Sequence, residues 1–413
     1  AVESLRVNDG IALPQAEEIL RRAGTVVAID ASIVRGRGVN DVSVATDGSA
    51  VAVVGGDGSV GVWDLRTGRR TFVDPSPEPC GISSCPDVLY VSMSDDGSTL
   101  ATLTPATSEG YNFFHVWNLA SGRETFTVAP TPRLFDEGFV LLSPDGSLLA
   151  TAEWETIRMH SVGAERPMWA LEGLGSTPSL TFSPDGRHLF FGVSYPSDDV
   201  GPGLVDVTTG EAEILVPDRT VDAGGASFSA DGARVAFIAH DPFVGGDLHV
   251  WDVASGRPIA TTPTMGRLVA LSPEGSVVAV TGLDDQGEVR LLDADTLDPI
   301  STLRGHVGSV VTEIAFYRRG GKIVTASLDG TVRVWDARTG QLIFTPPAEP
   351  SGVEWVAFNA HGSQIIVIYG DGRILAHPIA LEDAIDIARS RVTRSLTESE
   401  CRTYLHLETC PSS

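Results

Sequence analysis

A tight turn built on an Asp-Gly pair or a close variant returns eight times along the chain, and this recurrence constrains the fold more than any other feature. The turn falls at Asp47-Gly48, Asp96-Gly97, Asp145-Gly146, Asp185-Gly186, Asp231-Gly232, Glu274-Gly275, Arg319-Gly320 and His361-Gly362, at intervals of 49, 49, 40, 46, 43, 45 and 42 residues. Glycine supplies the positive φ such a turn needs, and aspartate accepts hydrogen bonds from the backbone that follows it. Around the turns lie short runs rich in β-branched and apolar residues, such as residues 309–316, 322–327 and 331–335. These read as strands of one small antiparallel sheet. A period near 40–45 residues with about four strands per unit is the pattern of a ring of repeated sheets.

The unit over residues 303–340 is the most complete. It runs Leu303-Arg304-Gly305-His306, then Ala326-Ser327-Leu328-Asp329-Gly330, then Thr331-Val332-Arg333-Val334-Trp335-Asp336. This resembles the WD-repeat family, whose signatures are the Trp-Asp pair and the Gly-His pair. The resemblance implies that each sheet is one blade of a β-propeller. It also implies a buried relay in which the indole of Trp335 meets the hydroxyl of Ser327, which meets His306, which is held by Asp329. A Ser, a His and an Asp together also suggest nucleophilic catalysis. Their spacing buries them between strands, however, where an unpaired polar group costs about 1–3 kcal/mol, and a structural role follows. No catalytic residue is assigned.

The Trp-Asp position decays along the chain: Trp63-Asp64, Trp117-Asn118, Met159-His160, Val205-Asp206, Trp251-Asp252, Leu292-Asp293, Trp335-Asp336 and His377-Pro378. Eight copies imply an all-β, eight-bladed propeller, provided that the ring closes. The last unit supplies three strands and turns helical at Leu381, while residues 25–33 form a strand-like run with no other sheet to join. In the family one end of the chain completes the blade begun by the other, which removes an exposed sheet edge. Seven blades, with one degenerate unit absorbed as an insertion, is the alternative. The expected division is a helical connector over 1–23, the propeller over 24–379 and a helical tail over 380–413.

Connections between first and second strands, and between third and fourth, are short; the long ones fall between second and third strands or between blades. In an antiparallel blade the two kinds lie on opposite faces. Insertions that serve binding collect on one face of a repeat array, so the long-loop face is the candidate interaction surface. Its loops contain Tyr111, Phe113, Tyr195, Asp198, Asp199, Asp241, Phe243, Asp284 and Asp285. Aromatic anchors among carboxylates suit a basic or mixed protein partner. The plainer reading is that these are ordinary polar loops whose aromatics pack on the blades.

The net charge is −25, from 54 acidic against 29 basic residues, and Lys322 is the only lysine. Such a surface repels phosphate backbones and anionic head groups, so nucleic acid is not expected as a partner. Solubility alone also accounts for the acidity. No run approaches the length of a membrane helix, and no membrane insertion is expected. Without an initiator Met or a signal peptide, the chain reads as a piece of a longer protein.

The cysteines fall as two close pairs, Cys80 with Cys85 and Cys401 with Cys410. Two local disulfides are the simplest reading, each contributing about 2–3 kcal/mol. A four-cysteine zinc site is the alternative, although Cys-x-x-Cys spacing is missing. Bridged cysteines favour an extracytoplasmic location, free thiols the cytoplasm.

The start, Ala1 to Asp9, is similar to the helical connector before the propeller in bacterial STAND-type signalling NTPases. The tail has Leu381, Ile385, Ala388 and Val392 at helical spacing and ends in residues 399–411. It resembles the terminal segment of actinobacterial WD-repeat proteins joined to STAND-type NTPase or transcription-regulator domains. Phosphate-binding loops, nucleophile elbows, zinc-protease motifs and acidic calcium loops are missing, and no metal or cofactor is expected. The sequence therefore reads as a non-catalytic interaction or sensor propeller, the C-terminal module of a bacterial multidomain signalling protein. A propeller enzyme, or a metal- or ligand-binding domain using the central channel, is the alternative.

Overall fold

In a computed structural model, the chain forms eight antiparallel sheets arranged as a closed ring. The structure describes residues 39–380, apart from 56–57, 66, 68, 74–87, 89, 106–110, 133–137, 154, 175, 195–200, 217–221, 242–244, 265, 283–286, 307, 350 and 360. The helical connector, the strand-like run 25–33, the helical tail and all four cysteines lie outside these residues. So do Tyr195, Asp198, Asp199, Phe243, Asp284 and Asp285.

Blade 1 is the sheet of Val39–Val44, Ala50–Gly55, Val60–Asp64 and Arg70–Val73. Blades 2 to 6 follow in the same order within residues 90–132, 138–172, 176–214, 222–264 and 269–304. Blade 7 is Val311–Phe316, Lys322–Ser327, Val332–Asp336 and Leu342–Phe344; blade 8 has three described strands, Val353–Phe358, Gln364–Tyr369 and Ile374–Pro378. First strands of successive blades lie beside one another and line the central channel. Second strands are buried on both sides, as in Ala50–Gly55, where every residue is buried.

The turns explain why the period is so visible in sequence. In blade 3 the Ser143 hydroxyl donates to Asp145 at 2.6 Å, the Ser147 N–H donates to the same carboxylate at 3.0 Å, and the Leu148 N–H donates to Ser143 Oγ at 2.9 Å. Gly146 follows with φ 70°, which a side chain would strain. The Asp of the Trp-Asp pair caps the other short turn: Asp336 Oδ1 accepts from the N–H of Thr339 at 2.7 Å and from its hydroxyl at 2.8 Å. Its pKa is lowered, chiefly by those two bonds. Asp206, Asp252 and Asp293 do the same in their blades, with Asn118 substituting in blade 2. The aspartate thus persists where the tryptophan is lost because its task is local to the turn.

Apolar packing sits between blades rather than within them. Eight core clusters each span one pair of neighbouring blades. The cluster joining Val51, Val53 and Trp63 of blade 1 to Ile366, Ile368 and Ile374 of blade 8 closes the ring. Eight seams for eight sheets settle the blade count in favour of eight over seven.

Candidate functional site

The buried relay of blade 7 contains a different hydroxyl from the one expected. Trp335 Nε1 donates to Thr325 Oγ1 at 3.0 Å, and His306 Nε2 lies 2.7 Å from the same oxygen. His306 Nδ1 contacts Asp329 Oδ2 and Thr331 Oγ1, both at 3.1 Å. The strand register gives the reason. Trp335 sits opposite Ile323, so its diagonal neighbour on the same face is Thr325; Ser327 is one strand repeat further along. Ser327 instead accepts the Asp329 N–H at 3.2 Å.

The Asp329 carboxylate only accepts, so Nδ1–H of the neutral ring donates to it, and Nε2 accepts the proton of Thr325, whose oxygen also accepts the indole N–H. Burial lowers the His306 pKa against the raising influence of Asp329, which favours the neutral ring. Burial pushes Asp329 upward, but hydrogen bonds from Thr331, and then His306, outweigh it and leave its pKa below the usual range. Thr325 is 0% exposed and His306 1%, so no substrate reaches the hydroxyl in the folded blade.

Other blades keep fragments of the relay. Trp117 Nε1 donates to Thr102 Oγ1 at 3.2 Å in blade 2. In blade 5 the corresponding residue is Phe237, and the Trp251 N–H is buried without an acceptor among the described residues. In blade 8 the Tyr369 hydroxyl meets His377 Nε2 at 3.1 Å.

On the long-loop face, three expected loop residues prove to be strand residues. Tyr111 and Phe113 belong to Tyr111–Asn118, and Asp241 ends Arg234–Asp241, because both hairpins run further than their composition suggested. Pro105 pairs with Asn112, and Asp241 with Gly245. Phe113 is half-buried and stacks on His115 with centroids 6.2 Å apart.

The same face carries an apolar pair that sequence reasoning passed over. Leu328, in the tight turn of blade 7, is 67% exposed, and Val310, just before the blade's first strand, is 38% exposed. The Leu328 N–H donates to the Val310 carbonyl at 3.0 Å, which holds the two together. Beside them a cleft of about 370 Å³ opens between blades 6 and 7, bordered by Leu268, Val310, Thr312 and Arg267. Thr312 is the bulged residue of its strand, and its buried hydroxyl has no partner among the described residues.

The channel wall is organised by position relative to the turn glycine. Ser43, Ser92 and Ser227, each five residues before it, accept the N–H of Met93, Leu142 and Leu271 in the next blade, all at 2.9 Å. Two positions earlier, Asp41 accepts the N–H of Val91 and of Val42, both at 2.8 Å. Burial nevertheless raises the Asp41 pKa to about 6, and raises that of Glu313, the equivalent residue of blade 7, to about 7. Among the described residues no cluster of three or more His, Cys, Asp or Glu side chains could hold a metal ion.

The family model described as WD domain, G-beta repeat matches residues 32–64 and 297–336. The Periodic tryptophan protein 2 homolog of Schizosaccharomyces pombe is 32% identical over 106 residues, which are 26% of this chain and 12% of that protein. COMPASS component SWD3 of Saccharomyces cerevisiae is 23% identical over 221 residues, 51% of this chain and 67% of that one. The Target of rapamycin complex subunit wat1 of Schizosaccharomyces pombe is 35% identical over 96 residues, 22% of this chain and 29% of that one. All three relatives are eukaryotic, and this chain spans only about an eighth of the first. Among solved structures, the Dos1 propeller superposes with TM-score 0.65 at 16% identity, covering 84% of this chain and 93% of that one. The C-terminal WD40 domain of Sif2 gives 0.64 at 15%, covering 83% and 96%. At these identities the solved structures speak for the fold alone.

Proposed function

We propose that this eight-bladed propeller with WD-type repeats is a non-catalytic docking module that binds a protein partner through its long-loop face. The observation that carries the reading is the exposed Leu328–Val310 pair beside the cleft between blades 6 and 7. Apolar side chains held out to solvent at the edge of a concave site gain by being covered. The relay residues Trp335, Thr325 and His306 are buried inside blade 7 and serve packing. Two of the relatives bear the names of complex subunits, which fits a docking role.

The charge of −25 supports a basic or mixed partner and turns phosphate backbones away. Among the described residues no helix is long and apolar enough to cross a membrane. The terminal stretches support a place at the C-terminal end of a bacterial multidomain signalling protein.

The test is affinity purification from the native source with wild type and with Leu328→Glu. The reading expects a partner held by wild type and lost from the variant at unchanged melting temperature. Retention by Leu328→Glu, together with loss on substituting residues of the short-turn face, would overturn it.

A further inference from the structure

We infer that the channel wall at blades 7, 8 and 1 is a binding site for a small organic carboxylate with an apolar body. The site is separate from the docking face, since it opens toward the short turns at the other end of the first strands.

The edges of those strands supply the donors. In each blade the residue three places before the turn glycine pairs with the second strand, as Ala45 N–H does with Ala50 O at 3.0 Å and Asn359 N–H with Gln364 O at 3.0 Å. Antiparallel alternation then turns the N–H of the preceding residue the other way, toward the channel. Such an N–H needs an acceptor. At the seams between blades 1 and 2, 2 and 3, and 5 and 6, serine of the preceding blade supplies it. At the seams between 7 and 8 and between 8 and 1, the serine position holds Ala315 and Ala357. The N–H groups of Phe358 and Val44 therefore face the channel without that side-chain acceptor.

A cavity of about 210 Å³ lies where those serines are missing, walled by Val44, Ala315, Phe316, Trp355, Ala357 and Phe358. Arg318 stands at its rim. One of its guanidinium nitrogens donates to the Thr46 carbonyl at 3.2 Å, and it forms no ion pair among the described residues. Its turn is the basic member of the set: Arg318 and Arg319 occupy a turn that carries Asp or Glu in blades 1 to 6. Glu274 approaches this turn at Gly320, from blade 6 and so from the side away from the cavity. Lys322 adds a second cation nearby, with Nζ 2.9 Å from the Gly362 carbonyl.

The cavity thus offers apolar and aromatic walls, two inward N–H donors and a guanidinium with spare donors, and no carboxylate lines it. That donor-rich lining selects an anion with two acceptor oxygens, and the apolar walls select what the anion is attached to. The size suits a molecule smaller than a nucleotide, such as an arylacetic acid. A cation would meet Arg318 with no carboxylate in the lining to offset it.

Isothermal titration calorimetry of the full chain with phenylacetate, benzoate and benzylamine tests the assignment. The acids bind wild type and benzylamine does not. Arg318→Gln weakens phenylacetate by about tenfold or more, as loss of a charged hydrogen bond should. Ala357→Ser weakens it comparably while leaving the melting temperature equal or higher, because the new hydroxyl bridges the seam as Ser43 does and fills the cavity. Should Arg318→Gln fail to fold, Arg318→Lys and Ala357→Ser carry the test. Acids that give no heat with wild type, benzylamine binding as well as phenylacetate, or unchanged binding in Ala357→Ser would each overturn the proposal. These results leave the docking face untouched, so the two readings fail separately.

Discussion

Arg318 of blade 7 donates to the carbonyl oxygen of Thr46 in blade 1, 272 residues earlier, and so passes across the inner end of blade 8 at 3.2 Å. Thr46 in turn donates from its hydroxyl to Asp95 of blade 2 at 2.6 Å. The ring is therefore stitched at the channel as well as packed at its seams.

The two kinds of closure differ in size. An exposed neutral-acceptor hydrogen bond contributes about 0.5–1.5 kcal/mol, whereas emptying a buried isoleucine site costs about 2–5 kcal/mol. Arg318→Ala should therefore lower stability slightly, and Ile368→Ala, in the seam between blades 8 and 1, should lower it severalfold more. Urea unfolding of both variants checks the ranking; equal losses would mean that the apolar seam does not carry closure.

In the relay, Thr325→Val leaves Trp335 Nε1 and His306 Nε2 facing a methyl group, with an expected cost of about 1–3 kcal/mol. Asp329→Ala leaves His306 Nδ1 with Thr331 Oγ1 as its remaining partner and belongs at the lower end of that range. Ser327→Ala removes one backbone contact at 3.2 Å and should cost less than either. Thermal melting of the three proteins decides the matter, and the order Ser327 above Thr325 would restore the hydroxyl first expected from sequence.

Asp41 and Glu313 make the stability of the fold depend on pH. Their folded pKa values, about 6 and about 7, lie above the ordinary 3.8 and 4.5. Below those ordinary values folded and unfolded chains both hold the protons. As pH rises toward 7 the unfolded chain releases them first, and stability falls across roughly pH 4–7 before levelling. The turn aspartates, with lowered pKa values, act only below that window. Glu313→Gln should flatten the decline and raise stability at pH 8. A denaturation series from pH 4 to 8 tests this, and a variant whose stability at pH 8 matches wild type would refute it.

Trp251 offers a test of packing without hydrogen bonding. Its buried N–H has no acceptor among the described residues, and Phe237 occupies the diagonal position that threonine fills in blades 2 and 7. Trp251→Phe removes the orphaned donor along with some apolar surface and should cost less than Trp335→Phe, which also strips a hydrogen bond from Thr325. Unfolding free energies of the pair provide the comparison.

The turns were legible because each is held by its own residues: Ser143, Asp145 and Gly146 need nothing from another blade to form their bonds. The blade count followed from them. The relay hydroxyl was not legible, since Thr325 and Ser327 share one face of one strand and only the register with Trp335 separates them. Tyr111, Phe113 and Asp241 were placed in loops because a hairpin can lengthen with no change in residue type. Least visible were the seam serines. Ser43, Ser92 and Ser227 bind backbone N–H groups of another blade, and a backbone donor leaves no mark on the sequence that supplies it.

The seam between blades 8 and 1 means that no blade of the ring is terminal. A linear array of repeats frays from its ends, one unit at a time, because an end unit has a single neighbour to lose. Here the first blade to come loose must break two seams together, so early opening is suppressed and cooperativity extends around the whole circuit. It also makes the point of chain entry arbitrary: a protease nick in any long loop leaves all eight seams in place, and the two fragments should remain one particle until denaturant parts them.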